Sequence, residues 1–158
     1  MVEKFPHLSD DFHFAIANVA AYSSRLEYHI ERTIHKSLAG TPETAEYLLK
    51  NTGADRLVGL LKALLLDLFP DEKPQVDRLV SLIKSARKER NQIFHNTWIT
   101  GATPETSINV SSRPFREFRH KEMKPEQVQQ IADDLHEASR ALLEWQEHLP
   151  RPQLQPSR

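Results

Sequence analysis

The chain has 158 residues, a net charge of −1, 39% hydrophobic and 27% charged residues, enough length for one core and too balanced a composition for disorder or a membrane class. A charge so close to zero excludes a protein that coats nucleic acid by bulk electrostatics, so any RNA site has to be local. The absence of cysteine excludes disulfides, thiolate catalysis and Cys-ligated zinc.

The segment Met1-Val2-Glu3-Lys4-Phe5-Pro6-His7 has no apolar stretch of the signal-peptide kind, and no run approaches the roughly 18 apolar residues that span a bilayer. The expectation is a soluble cytoplasmic protein with no membrane partner. Scarce Gly and plentiful Leu, Ala, Glu, Lys and Arg favour helices.

Ser9-Asp10-Asp11 offers N-cap side chains, and Phe12, Ile16, Val19, Tyr22, Leu26, Ile30 and Ile34 follow at steps of three and four. The spacing predicts a long amphipathic helix ending near Gly40. Thr41-Pro42-Glu43 starts a short second helix through Leu48 and Leu49, which Gly53 stops. From Arg56 to Phe69 the chain is so rich in leucine that most of the helix circumference is expected to be covered by neighbours. Pro70 and Pro74 bracket a turn. Gln75 to about Thr97 then forms a helix with Leu79, Ile83, Ala86 and Phe94 along one side.

Gly101, Pro104 and Pro114 break helix between Trp98 and Lys121, while Trp98-Ile99-Thr100 and Ile108-Asn109-Val110-Ser111 have β-type composition, which fits a loop or a short hairpin. The last helix starts after Pro125. Its apolar residues Val128, Ile131, Leu135, Ala138, Leu142, Trp145 and Leu149 alternate three- and four-residue steps, a seam that belongs to a helix bundle and can extend across a subunit interface. The predicted class is all-α: an antiparallel bundle of four to five helices, with a short irregular or β-hairpin-like loop before the last one. Residues 1–149 are expected to form a single domain, and the proline-containing tail 150–158 to be mobile.

The chemistry concentrates on the fourth predicted helix, in Arg90-Asn91-Gln92-Ile93-Phe94-His95. Advancing about 100° per residue, Leu79, Ile83, Ala86, Ile93 and Phe94 all fall within about 60° of Arg90. Arg90 therefore lies in the middle of an apolar face, where a guanidinium must be paired or must face a cleft. Asn91 and His95, four residues apart, project from the edge of that face at about 100° and 140°.

This segment, with Lys88-Glu89 before it and Asn96-Thr97-Trp98 after it, resembles the active-site pattern of the HEPN superfamily: an Arg, a polar residue, a short spacer and a His on a late helix. It is similar to the Arg-Asn-x-Ile-x-His-Gly-x-Trp form of bacterial members, with Asn96 where Gly is frequent. Ser24-Arg25-Leu26-Glu27-Tyr28 and the all-helical order of elements resemble the family along most of the chain. The resemblance implies a metal-independent endoribonuclease with no cofactor, in which two copies of the motif meet across a homodimer interface. The RNA strand is then cut by its own 2′-hydroxyl and keeps a 2′,3′-cyclic phosphate. It also implies a toxin or phage-defence setting, with an antitoxin or regulatory protein as partner. The superfamily has members that lack catalysis.

The residue types suit that chemistry. A histidine such as His95 exchanges protons near neutral pH, and the forked donors of Arg90 suit charge growing on phosphate oxygens. Asn91 can orient His95 or hold a phosphate oxygen. Lys84, Arg87 and Lys88 are the candidate substrate-binding residues on the same helix, Arg87 first among them. Arg113, Arg116, Arg119, His120 and Lys121 add a basic cluster in the following loop.

Each feature also has a plain structural reading. An Arg capped by an acid, with Glu27 as the candidate charge partner of Arg90, and a His near a helix C-terminus are stability features. On that reading the chain is a non-catalytic helical module for dimerisation or for binding RNA, a nucleotide or a partner protein. None of the eight histidines forms a tight ligand set such as His-Glu-x-x-His, so no metal is expected. Phe94 and Trp98 could each stack a base, but Phe94, next to the apolar stripe, reads as core, while Trp98 is left as either core or stacking surface. No phosphate-cradling Gly loop, dinucleotide turn or nucleophilic-Ser context is present.

Overall fold

The computed structural model describes residues 8–38, 42–95, 97–101, 106–110 and 120–149. In chain order these form α1 (Asp10–Ser37), α2 (Pro42–Asn51), α3 (Ala54–Leu68), a 3-10 turn (Pro70–Glu72), α4 (Lys73–His95), β1 (Thr97–Thr100), β2 (Ser107–Val110), β3 (His120–Met123) and α5 (Pro125–His148). The fold is all-α, with a small antiparallel sheet inserted before the last helix. No helix among the described residues is long and apolar enough to cross a membrane.

Local chemistry starts the helices. The Phe12 N–H donates to Ser9 Oγ at 3.4 Å. Asp10 and Asp11 occupy the first turn of α1, and His35 and Lys36 the last, signs that complement the helix dipole. Pro74 is accommodated in the first turn of α4, where a missing N–H costs nothing. In α5, Pro125 takes the first helical position and Gln127 Oε1 accepts the Lys124 N–H at 2.8 Å, the returning half of a capping box.

Two expectations change. Residues Leu57, Val58, Leu61 and Leu65 of α3 are buried, but Leu60, Leu64, Leu66 and Leu68 are half-buried and Gly59 and Ala63 are exposed, so one stripe is covered and not most of the circumference. The insertion has a third strand. β2 pairs β1 on one side, with Trp98 opposite Asn109, and β3 on the other, with Lys121 opposite Asn109. His120-Lys121-Glu122-Met123 reads as basic loop because it lacks β-branched residues. The open edge of β2, more than any propensity of its own, makes it a strand. Gly101 sits where a Cβ would collide with Thr106, which explains a glycine at this close approach.

Contacts divide the chain into two compact units, and α1, α4 and α5 each contribute to both. The first unit comprises Met1–Ser24 and Ser85–Glu137, with a core that includes Phe12, Val19, Ile93, Trp98, Val128 and Leu135. The second comprises Arg25–Lys84 and Ala138–Arg158, with Leu26, Ile30, Leu61, Leu65, Ile83 and Leu142 in its core. The second core also holds a polar cluster. Gln146 Nε2 donates to Thr33 Oγ1 at 2.9 Å and to the His29 carbonyl at 3.1 Å, while Thr33 Oγ1 donates to the same carbonyl at 2.7 Å. Burial, and then the charges of Arg25 and Arg32, lower the pKa of the His29 ring.

Candidate active site

Arg90, Asn91 and His95 lie in the first unit, on the last two turns of α4. Helix ends leave the final carbonyls without intrahelical donors. Two of these are satisfied by the sheet: buried Trp98 donates from Nε1 to the Ile93 carbonyl at 3.1 Å, and buried Asn109 donates from Nδ2 to the Gln92 carbonyl at 3.2 Å. The Trp98 ring also meets Phe12 of α1 edge-on, with centroids 5.8 Å apart. The turn that ends in His95 is thus held by side chains from β1 and β2.

Arg90 is half-buried, as its place on the helical wheel requires. Its Nε donates to Ser23 Oγ on α1 at 2.7 Å and its Nη1 to Asn91 Oδ1 at 2.9 Å, while its Cζ lies 5.7 Å from the centre of the Phe94 ring. Ser23 is buried within the apolar stripe of α1. Sequence reasoning missed it, although the signal was the same as for Arg90: a polar residue in an apolar stripe. Glu27, the expected charge partner, is half-buried one turn further along α1.

Asn91 and His95 are both exposed, one turn apart at the end of α4. The Asn91 oxygen accepts from Arg90, and its amide nitrogen is a donor of the kind that suits a phosphate oxygen. His95 closes the helix with its ring toward solvent.

The Phe94 assignment is reversed, and Trp98, open between core and surface, is core. Phe94, read as core, is 42% exposed, and Trp98 is 8% exposed. Trp98 can reach back into the core from β1, whereas Phe94 lies in the last turn of α4 under the Arg90 guanidinium.

The basic residues also separate. Arg87, the leading candidate for a phosphate contact, is buried at 9% exposure and is engaged within the protein, so it does not line an open surface. Lys84 and Lys88 are exposed, one turn apart on α4. Lys121 is exposed on β3, His120 begins that strand, and Arg113, Arg116 and Arg119 lie outside the described residues. Among the described residues, no group of three or more His, Asp or Glu is placed to hold a metal ion.

The second unit carries a separate groove of about 470 Å³, whose lining includes Glu72, Arg78, Glu144, Trp145 and His148. The sequence reading did not single it out, because its residues come from three segments whose individual patterns are ordinary.

Comparison with family models, curated proteins and solved structures finds no match to the chain.

Proposed function

We propose that the chain is a metal-independent endoribonuclease of the HEPN type, acting as a cytoplasmic homodimer whose site is completed by the motif of a second copy. The observation that carries this reading is the arrangement on one helix end: an anchored guanidinium at Arg90, an exposed amide at Asn91 and a solvent-facing imidazole at His95. In the reaction, His95 takes the proton of the attacking 2′-hydroxyl or returns one to the leaving 5′-oxygen. Arg90 stabilises the charge on the phosphate oxygens, and Asn91 donates to one of them. Lys88 draws in the RNA backbone. The biological role that fits is a toxin or phage-defence effector, restrained by an antitoxin or regulatory protein.

Purified protein is expected to cut RNA in the presence of EDTA, to leave DNA intact and to produce 2′,3′-cyclic phosphate ends. His95→Ala and Arg90→Ala are expected to be inert yet folded. Unchanged cleavage by His95→Ala would sink the mechanism.

One observation favours a second reading. Arg90 is already bonded to Ser23 and Asn91 and stacked against Phe94, and Arg87 is buried, which is how structural arginines behave. On this reading the chain is a non-catalytic module for dimerisation or for binding RNA, a nucleotide or a partner protein. A stable, RNase-inactive protein that loses stability with Arg90→Ala is its signature.

A further inference from the structure

We infer that Phe94, with the Arg90 guanidinium fixed on one face, is the stacking platform for a single unpaired RNA base at the end of α4; this deepens the ribonuclease reading and rests on it. An aromatic ring left 42% exposed in water gains from being covered, and this one adjoins the two polar groups that face solvent, Asn91 and His95. The Cζ of Arg90 lies 5.7 Å from its centroid, so the cation holds the ring orientation before any ligand arrives. A ring held in place loses little freedom on binding, and the polarised pair suits the flat face of a base.

Position specifies the ligand further. Phe94 lies three residues beyond Asn91, a neighbouring position on the helix surface, and directly precedes His95, which projects about 100° further round the same last turn. A base lying on the Phe94 ring is then held at the same helix end as the imidazole and the amide. A base engaged that way has left its neighbours in the strand and cannot be paired, so the ligand is single-stranded or looped RNA rather than a duplex. The basic side chain of Lys88, exposed on the same helix and in the same unit, suits the backbone of such a strand.

The test uses the full chain and a fluorescently labelled six-nucleotide 2′-O-methyl RNA, which binds but lacks the attacking hydroxyl, with binding followed by anisotropy. Phe94→Leu, which keeps an apolar side chain and removes the ring, is expected to bind roughly tenfold or more weakly, Phe94→Tyr about as wild type, and an oligonucleotide made of abasic units no better to wild type than to Phe94→Leu. Thermal melting confirms that the variants are folded. Equal affinity of wild type and Phe94→Leu overturns the platform, as does no binding at all. Phe94-dependent binding without any RNA cleavage keeps the platform and removes the enzyme, whereas cleavage indifferent to Phe94→Leu keeps the enzyme and removes the platform.

Discussion

Arg90 of α4 donates from its Nε to the buried hydroxyl of Ser23 on α1, at 2.7 Å. Each residue interrupts an otherwise apolar face, and each answers the other: the guanidinium has a donor that must not be buried alone, and the stripe of α1 has an acceptor at that level. The pair ties the helix bearing the candidate chemistry to the first helix of the fold.

Removing the hydroxyl tests that tie. Ser23→Ala leaves the Arg90 Nε without its acceptor in a partly buried setting, a loss of about 1–3 kcal/mol. Urea unfolding is expected to show a lower midpoint at unchanged slope. On the proposed ribonuclease reading, RNA cleavage is expected to fall as well, because the guanidinium is no longer held in place. A Ser23→Ala protein of wild-type stability would mean that the bond contributes nothing.

The sheet should control the end of α4. Trp98→Phe keeps most of the buried ring volume but removes the donor to the Ile93 carbonyl, and Asn109→Ala removes the donor to the Gln92 carbonyl. Each is expected to cost about 1–3 kcal/mol. Amide exchange should quicken in the last turn of α4, and His95 should be less well placed. On the proposed ribonuclease reading, cleavage should therefore drop although neither residue is assigned to the substrate. Unaltered exchange in that turn would refute the capping role.

Acid should weaken the protein through His29. Burial, followed by Arg25 and Arg32, holds its folded-state pKa below the ordinary histidine value, so the unfolded chain takes up the proton first. The contribution of His29 is complete above the unfolded pKa of about 6.5 and is lost as pH falls toward the lower folded-state value. Urea midpoints measured between pH 7.5 and 5 should decline in wild type, and less steeply in His29→Gln. Parallel declines in the two proteins would assign the effect to other groups.

Arg87 and Lys88 should separate stability from RNA binding. Arg87 is buried and engaged, so Arg87→Ala is expected to lower stability by about 1–3 kcal/mol. Lys88 is exposed, so Lys88→Ala should leave the melting temperature within a degree or two while weakening RNA binding and reducing its salt dependence. The opposite pattern would return Arg87 to the surface role that its spacing suggests.

Much of this was legible in the residues. The three- and four-residue steps locate the helices to within a few positions, and Pro125 marks a start that the structure uses, whereas Pro74, read as the end of a turn, lies in the first turn of α4. The anomaly of Arg90 follows from the wheel alone. The strand at His120–Met123 did not, because strand pairing depends on the open edge of β2 and not on the composition of the segment itself. Nor did Ser23, since a serine within an apolar stripe acquires meaning only when the residue opposite is known.

The sequence by itself determined the helical class, the apolar faces and the placement of Arg90, Asn91 and His95 on one helix, because these depend on periodicity within a single element. Tertiary structure decided which side chains on a shared face are covered. Arg87 and Phe94 lie about 60° and 40° from Arg90 on the same side of the wheel, yet Arg87 is 9% exposed and Phe94 is 42% exposed. Angle is a property of one helix, but burial depends on what packs against each level along it. Phe94 occupies the final turn, where the chain leaves for β1 and places Trp98 in the core.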